Sequence, residues 1–253
     1  TALTAALALG PVVLDGGLAT QLEAQGHDLG TELWSARLLH DDPDAIIQAH
    51  LAFFAAGAQV ATTASYQASL DGFVRAGMDK SAAEQMIKRS VRLAQQARAS
   101  CEVGQDCWIA GSVGPYGAAL ADGSEYRGDY DISINELREW HRPRIELLVE
   151  AGVDVLALET IPCLAEVEAL LAEIDGSRQP CWLSITCSGD RTRAGEPAAQ
   201  AGPGAPGSVG SRGARRPRGV HQRPAAVRPD ATRGMLVGGA GPPWRHVRRG
   251  QPK

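Results

Sequence analysis

The chain has 253 residues, 44% of them hydrophobic, with a formal net charge of −4 and a pI near 5.9. That is enough chain to bury a sizeable core as one large domain or two small ones. No stretch reads as a membrane span, and the opening Ala/Leu run Thr1 to Leu9 has no basic residue before it, which argues against a secretory signal. In chain order, Val12-Val13-Leu14 predicts a strand ending at the turn Asp15-Gly16-Gly17. Asp42 caps a helix with Pro43 in its first position and the apolar face Ile46, Ile47, His50, Leu51 and Phe54, closed by Gly57. A second strand is expected over Gln59 to Ala64. Ser81 with Glu84 then reads as a capping box opening a helix toward Ala97, followed by a third strand over Trp108 to Val113. Ser133 with Glu136 forms another capping box, whose helix runs to Gly152 and leads into a strand over Val153 to Glu159. Pro162 opens a further helix to Gly176, and a fifth strand spans Cys181 to Thr186. Strands alternating with helices of this length imply a parallel sheet with right-handed crossovers.

Beyond Glu196 the composition changes. Residues 1–196 carry 14 Lys+Arg against 28 Asp+Glu, whereas residues 197–253 carry 11 against 1. The second segment is rich in Gly, Pro and Arg, with one Leu and no Ile, Phe or Tyr, too little apolar surface to offset chain ordering. The expected organisation is therefore a folded part over 1–196 and a disordered tail over 197–253. The five cysteines, Cys101, Cys107, Cys163, Cys181 and Cys187, form no CxxC pair, which suggests reduced thiols in a cytoplasmic protein.

Each predicted strand ends in polar or glycine-rich residues, and the carboxyl ends of parallel strands are where barrels and open α/β sheets place their sites. Gly114-Pro115-Tyr116-Gly117 lacks the spacing of a dinucleotide loop or a P-loop, which favours a barrel over a nucleotide-binding sheet.

The runs Leu14-Asp15-Gly16-Gly17-Leu18-Ala19-Thr20-Gln21-Leu22, Thr62-Thr63-Ala64-Ser65-Tyr66-Gln67-Ala68-Ser69, Ser112-Val113-Gly114-Pro115-Tyr116-Gly117 and Leu158-Glu159-Thr160 resemble the homocysteine S-methyltransferases. The segment Ala121 to Gly128 resembles the branch that uses S-methylmethionine. The resemblance covers residues 10 to 197. It implies a TIM (β/α)8 barrel, here incomplete with about five β/α units. It also implies methyl transfer from S-methylmethionine or S-adenosylmethionine to the zinc-bound thiolate of homocysteine, giving methionine.

By the same resemblance, Asp15 and Glu159 lie near the homocysteine ammonium. Read without the family, they are a turn-forming acid and an acid paired to a helix. Gly16 and Gly17 let backbone amides approach the substrate, or serve a tight turn. Thr62 and Thr63 point to opposite faces, so one of them faces the site, with Thr62 the better candidate. Tyr66 offers its ring or hydroxyl to the donor, or packs on the next helix. No residue reads as a catalytic acid or base.

In the family, zinc is held by one cysteine in a Gly-Val-Asn-Cys segment and two in a Gly-Gly-Cys-Cys segment; this sequence carries neither. Cys181 and Cys187 stand six residues apart in one strand, on the order of 20 Å at strand rise, too far to share an ion. His27, His40, His50 and His141 show no ligand spacing. The chain is therefore expected to lack zinc-dependent transfer. A Gly/Pro/Arg/Ala mixture is also what codons built from G and C encode, so the tail reads as an out-of-frame translation. The competing account is a barrel fragment with a basic, nucleic-acid-binding tail. With Trp244 its single aromatic, that tail is poorly suited to stacking on bases, and small-molecule substrates are the expected partners.

Overall fold

The computed structural model describes residues 2–29, 34–100, 106–175, 177, 179–201 and 236–239. In chain order the elements are α1 (Leu3–Leu9), α2 (Leu18–Ala24), α3 (Trp34–Asp41), α4 (Pro43–Ala55), β1 (Val60–Thr62), α5 (Leu70–Arg75), α6 (Lys80–Ala99), β2 (Trp108–Val113), α7 (Tyr116–Leu120), α8 (Ile134–Glu150), β3 (Val155–Ile161), α9 (Leu164–Ile174), β4 (Cys181–Ser188), β5 (Arg191–Thr192) and β6 (Leu236–Gly239). The fold is mixed α/β. β1, β2, β3 and β4 pair parallel in that order, and β6 continues the parallel sheet on β4. β5 folds back antiparallel on the end of β4.

The two faces of the sheet follow strand alternation. Ile109, Leu156, Leu158, Leu183 and Ile185 pack with Ile46, Ile87, Leu148 and Leu170 of the flanking helices, all nearly inaccessible. Val60, Trp108, Ala110, Val155 and Ala157 point the other way and pack with Val12 and with Leu3 of α1. With both faces covered, β2 is buried along its whole length, Ser112 included, in keeping with its otherwise apolar sequence.

The helix ends show which local signals prevail. At α4, Asp42 accepts the Ala45 N–H at 3.2 Å and Pro43 begins the helix. At α8, Ser133 and Glu136 exchange both bonds of a capping box. At α6 the cap is Asp79, which accepts the Ala82 N–H at 2.8 Å, so the expected box at Ser81 does not form and the helix starts earlier. At α9 the helix begins at Leu164, later than Pro162 suggested. Its first N–H is taken by the Glu196 carboxylate at 3.1 Å, a cap supplied from 32 residues away.

Three strand predictions change. Val12 to Leu14 makes only a parallel bridge, Leu14 to Val60, because the Val13 N–H goes to the side chain of Gln59 instead of to a ladder carbonyl. β1 stops at Thr62, since the Ser112 N–H is taken by the Thr63 hydroxyl at 2.9 Å. β3 is displaced toward its carboxyl end. The Asp154 carboxylate before it accepts the Ile109 N–H and pairs with Arg98, both at 2.7 Å, and an extra residue enters the strand near its end. Within the stretch expected to be disordered, residues Leu236–Gly239 form a strand whose backbone pairs with Leu183 to Thr186.

Candidate active site

The carboxyl ends of the parallel strands bring four polar residues together. The Asp15 carboxylate follows the Leu14 bridge and is held by Thr62, whose N–H donates at 2.6 Å and whose hydroxyl donates at 2.7 Å. Ser112 at the end of β2 donates its hydroxyl to Glu159 near the end of β3. Asp15 and Glu159 are both half-buried. Burial pushes Asp15 up to about 6 against the bonds from Thr62. Burial also pushes Glu159 up to about 7, with the nearby Asp15 charge adding to the rise and the Ser112 hydroxyl opposing it. Among the described residues neither carboxyl group has a Lys or Arg partner, so whatever negative charge the pair carries has no countercharge there.

The remaining candidates fall around this pair. Gly16 and Gly17 are exposed beside Asp15, and a Cβ on Gly16 would stand 2.9 Å from the Phe53 ring, which would have to shift to admit it. Thr63 is buried and faces away from the carboxylates. Its hydroxyl bonds the Ser65 hydroxyl at 2.8 Å and accepts the Ser112 N–H, a structural role. Tyr66 is half-buried, with its hydroxyl within hydrogen-bonding reach of Thr160 and its ring against Gly114, where an added Cβ would collide with the Tyr66 carbonyl. Burial and the neighbouring Glu159 keep the Tyr66 phenol protonated.

Sequence reasoning missed a buried brace beneath these loops. The Arg144 guanidinium donates to the carbonyls of Ala68 at 3.3 Å and Gly114 at 2.6 Å, with a longer contact to Tyr66 at 3.4 Å. It also donates to Nδ1 of His141 at 2.8 Å, which leaves Nε2 to donate to Glu166 at 2.8 Å. Glu166 in turn accepts the Tyr116 N–H at 2.5 Å. Burial lowers His141 to about 4, so the ring is a neutral relay between an Arg and a Glu. The 3-residue spacing of His141 and Arg144 on α8 was the available signal, but Glu166 lies on α9 and no local pattern marks it. Glu125 near Tyr66 was also not singled out. It lies close enough to Tyr66 to act on its titration, and its Oε2 is buried without a hydrogen-bond partner among the described residues.

The donor set does not fit a metal ion. Among the described residues no three His, Cys, Asp or Glu side chains converge as ligands. Cys107 precedes β2, Cys163 precedes α9, and Cys181 and Cys187 occupy opposite ends of β4. Burial raises the Cys163 thiol to about 12, away from the thiolate a metal takes. Cys101 lies outside the described residues. No helix among them is long and apolar enough to cross a membrane.

The parallel α/β sheet thus brings two carboxyl groups together at its strand ends, neither with a Lys or Arg partner among the described residues. Comparison narrows the class: the family profile for homocysteine S-methyltransferase matches residues 12–205, and the chain belongs to that family. It is 45% identical over 203 residues to the homocysteine S-methyltransferase YbgG of Bacillus subtilis, covering 74% of this chain and 62% of the relative. It is 47% identical over 180 residues to the Escherichia coli homocysteine S-methyltransferase, covering 69% of this chain and 58% of the relative. The chain thus spans about three fifths of the length of these relatives. The crystal structure of the metallated form of the Escherichia coli homocysteine methyltransferase MmuM superimposes with a TM-score of 0.71 at 43% identity, covering 75% of this chain and 68% of that one.

Proposed function

We propose that this chain carries the substrate-recognition part of a TIM-barrel homocysteine S-methyltransferase, with Asp15 and Glu159 receiving the ammonium of homocysteine. The observation that carries this reading is the paired carboxyl groups, both held above their usual range by burial and without a basic partner among the described residues. An ammonium supplies the missing countercharge, and charge-assisted bonds of this kind are worth about 1.5 to 3 kcal/mol. Thr62 and Ser112 hold the two carboxylates in place, Gly16 and Gly17 leave the approach open, and Tyr66 forms the rim. The methyl donor in this reading is S-methylmethionine or S-adenosylmethionine, a sulfonium cation suited to an aromatic rim.

In the family resemblance, zinc would bind and activate the homocysteine thiol. The described residues do not fit that ion, so no step of the transfer is assigned to them. The chain is accordingly a recognition unit without methyl transfer of its own, acting in the cytoplasm. Residues 197–253 are read as out-of-frame sequence in place of the zinc-binding part. Translation of the other frames beyond codon 197 tests this: an open stretch with Asn-Cys and Cys-Cys motifs supports it, and absence of one refutes it.

Calorimetric titration with L-homocysteine and with 4-mercaptobutyrate, which lacks the ammonium, tests the recognition reading. Homocysteine is expected to bind and the analogue to fail, with Asp15→Asn and Glu159→Gln each weakening affinity about tenfold or more. Equal affinity for the two ligands would overturn the assignment. Methionine formed from homocysteine and either donor would overturn the inactivity.

A further inference from the structure

β3 breaks the alternation that organises its neighbours. Leu158 and Ile161 both pack into the helix-side core although they are three residues apart, and their β4 partners, Leu183 and Ile185, are two apart. An extra residue therefore sits in β3, a β-bulge of the kind that re-aims side chains beside sites. It is accommodated at Thr160, which has φ of 64°, a left-handed conformation that a β-branched residue seldom adopts. The Thr160 N–H finds the Ser184 hydroxyl oxygen at 3.1 Å, and its side chain lies within hydrogen-bonding reach of the Tyr66 phenol. Glu159 and Thr160, adjacent in sequence, are thus both kept out of the helix-side core, and Glu159 meets Ser112.

We propose that Thr160 is a positioning residue, whose left-handed turn fixes the Glu159 carboxylate beside Ser112 and Asp15 and whose hydroxyl fixes Tyr66 at the rim. Glycine would adopt the same φ without strain, but it would leave Tyr66 untethered and the bulge free to slip back into regular pairing. Threonine supplies the hydroxyl and a stiff branched side chain at the cost of local strain. The binding readout below rests on the ammonium reading of Asp15 and Glu159; the titration readout does not.

The test compares wild type, Thr160→Gly and Thr160→Val by thermal unfolding, homocysteine affinity and the carbon-13 titration of the Glu159 carboxyl in ligand-free protein. The groups facing that carboxyl are Asp15, Ser112 and Tyr66. Thr160→Gly is expected to unfold at the same or a higher temperature, to bind homocysteine about tenfold more weakly, and to return the Glu159 titration toward the ordinary glutamate range. Thr160→Val keeps the branch and loses the hydroxyl, so it is expected to lower the unfolding temperature while leaving the Glu159 titration in place. A Thr160→Gly protein with an unchanged Glu159 titration would overturn the positioning role. A wild-type protein that fails to bind homocysteine would overturn the ammonium reading, and the titration would still decide the role of Thr160.

Discussion

Homocysteine binding near neutral pH should expel a proton from the site. Glu159 is pushed up to about 7 and Asp15 to about 6. At pH 6.5 the ordinary titration relation leaves about three quarters of the first and about one quarter of the second protonated, so the pair together holds about one proton. Raising Glu159 from 4.5 to about 7 corresponds to about 3 kcal/mol against its ionised form in the empty site. An ammonium docked between the carboxylates opposes that penalty and draws both titrations down. Binding at pH 6.5 should therefore release about one proton per homocysteine, falling to about a quarter of a proton at pH 7.5. Calorimetric titrations in buffers of differing ionisation enthalpy read the number directly, as the slope of apparent enthalpy against buffer enthalpy. Glu159→Gln should cut the release at pH 6.5 to about a quarter of a proton. A slope of zero, or proton uptake, at pH 6.5 in the wild-type protein would refute the electrostatic account of the site.

The same two groups bear on the pH dependence of the empty fold. Both are raised on folding, so their contribution to stability is fully present below about pH 4 and is lost as pH rises through about 6 to 7, whereas His50 and His141, lowered to about 4 by burial, contribute the opposite slope. The difference in urea unfolding between wild type and Glu159→Gln from pH 4 to 8 isolates the Glu159 part, which should fall with rising pH. Arg144→Ala leaves His141, Ala68 and Gly114 facing an unfilled buried space and should cost about 3 to 5 kcal/mol by urea unfolding, with Arg144→Lys recovering only part because an ammonium cannot reproduce the planar fork. Gly114→Ala forces a Cβ against the Tyr66 carbonyl and should cost about 1 to 3 kcal/mol or more in the same assay. Glu196→Ala removes the distant cap of α9 and should lower stability by about 1 kcal/mol, seen as a small drop in melting temperature.

How much was legible depended on how local each determinant is. α4 and α8 could be read from the sequence because Asp42 with Pro43, and Ser133 with Glu136, encode their starts within a few residues. β2 could be read because burial on both faces leaves Ser112 as the single polar residue in its run. At α6 two acceptors compete two residues apart, and only the structure shows that Asp79 takes the bond. The β3 bulge was illegible: left-handed positions are usually announced by Gly or Asn, and a Thr there looks like strand filler. Asp15 and Glu159 were singled out through the motifs around them, whereas the brace of Arg144, His141 and Glu166 joins two helices with loops from two other units. Leu236–Gly239 stands in a stretch whose composition speaks against order, and strand pairing through the backbone makes little demand on composition.

The polar bonds at the strand ends share a regular sequence span. Thr62 reaches Asp15 across 47 residues, Ser112 reaches Thr63 across 49, Ser112 reaches Glu159 across 47 and Tyr116 reaches Glu166 across 50. Each strand–helix unit therefore latches to the one before it, and no bond in this series waits for a distant part of the chain. A ribosome releasing the chain from its amino end would allow the latches to close in order, Asp15 being fastened before Glu159 is made. The first carboxylate is in place to repel the second, so the charge conflict that defines the site arises only when the β3 unit docks.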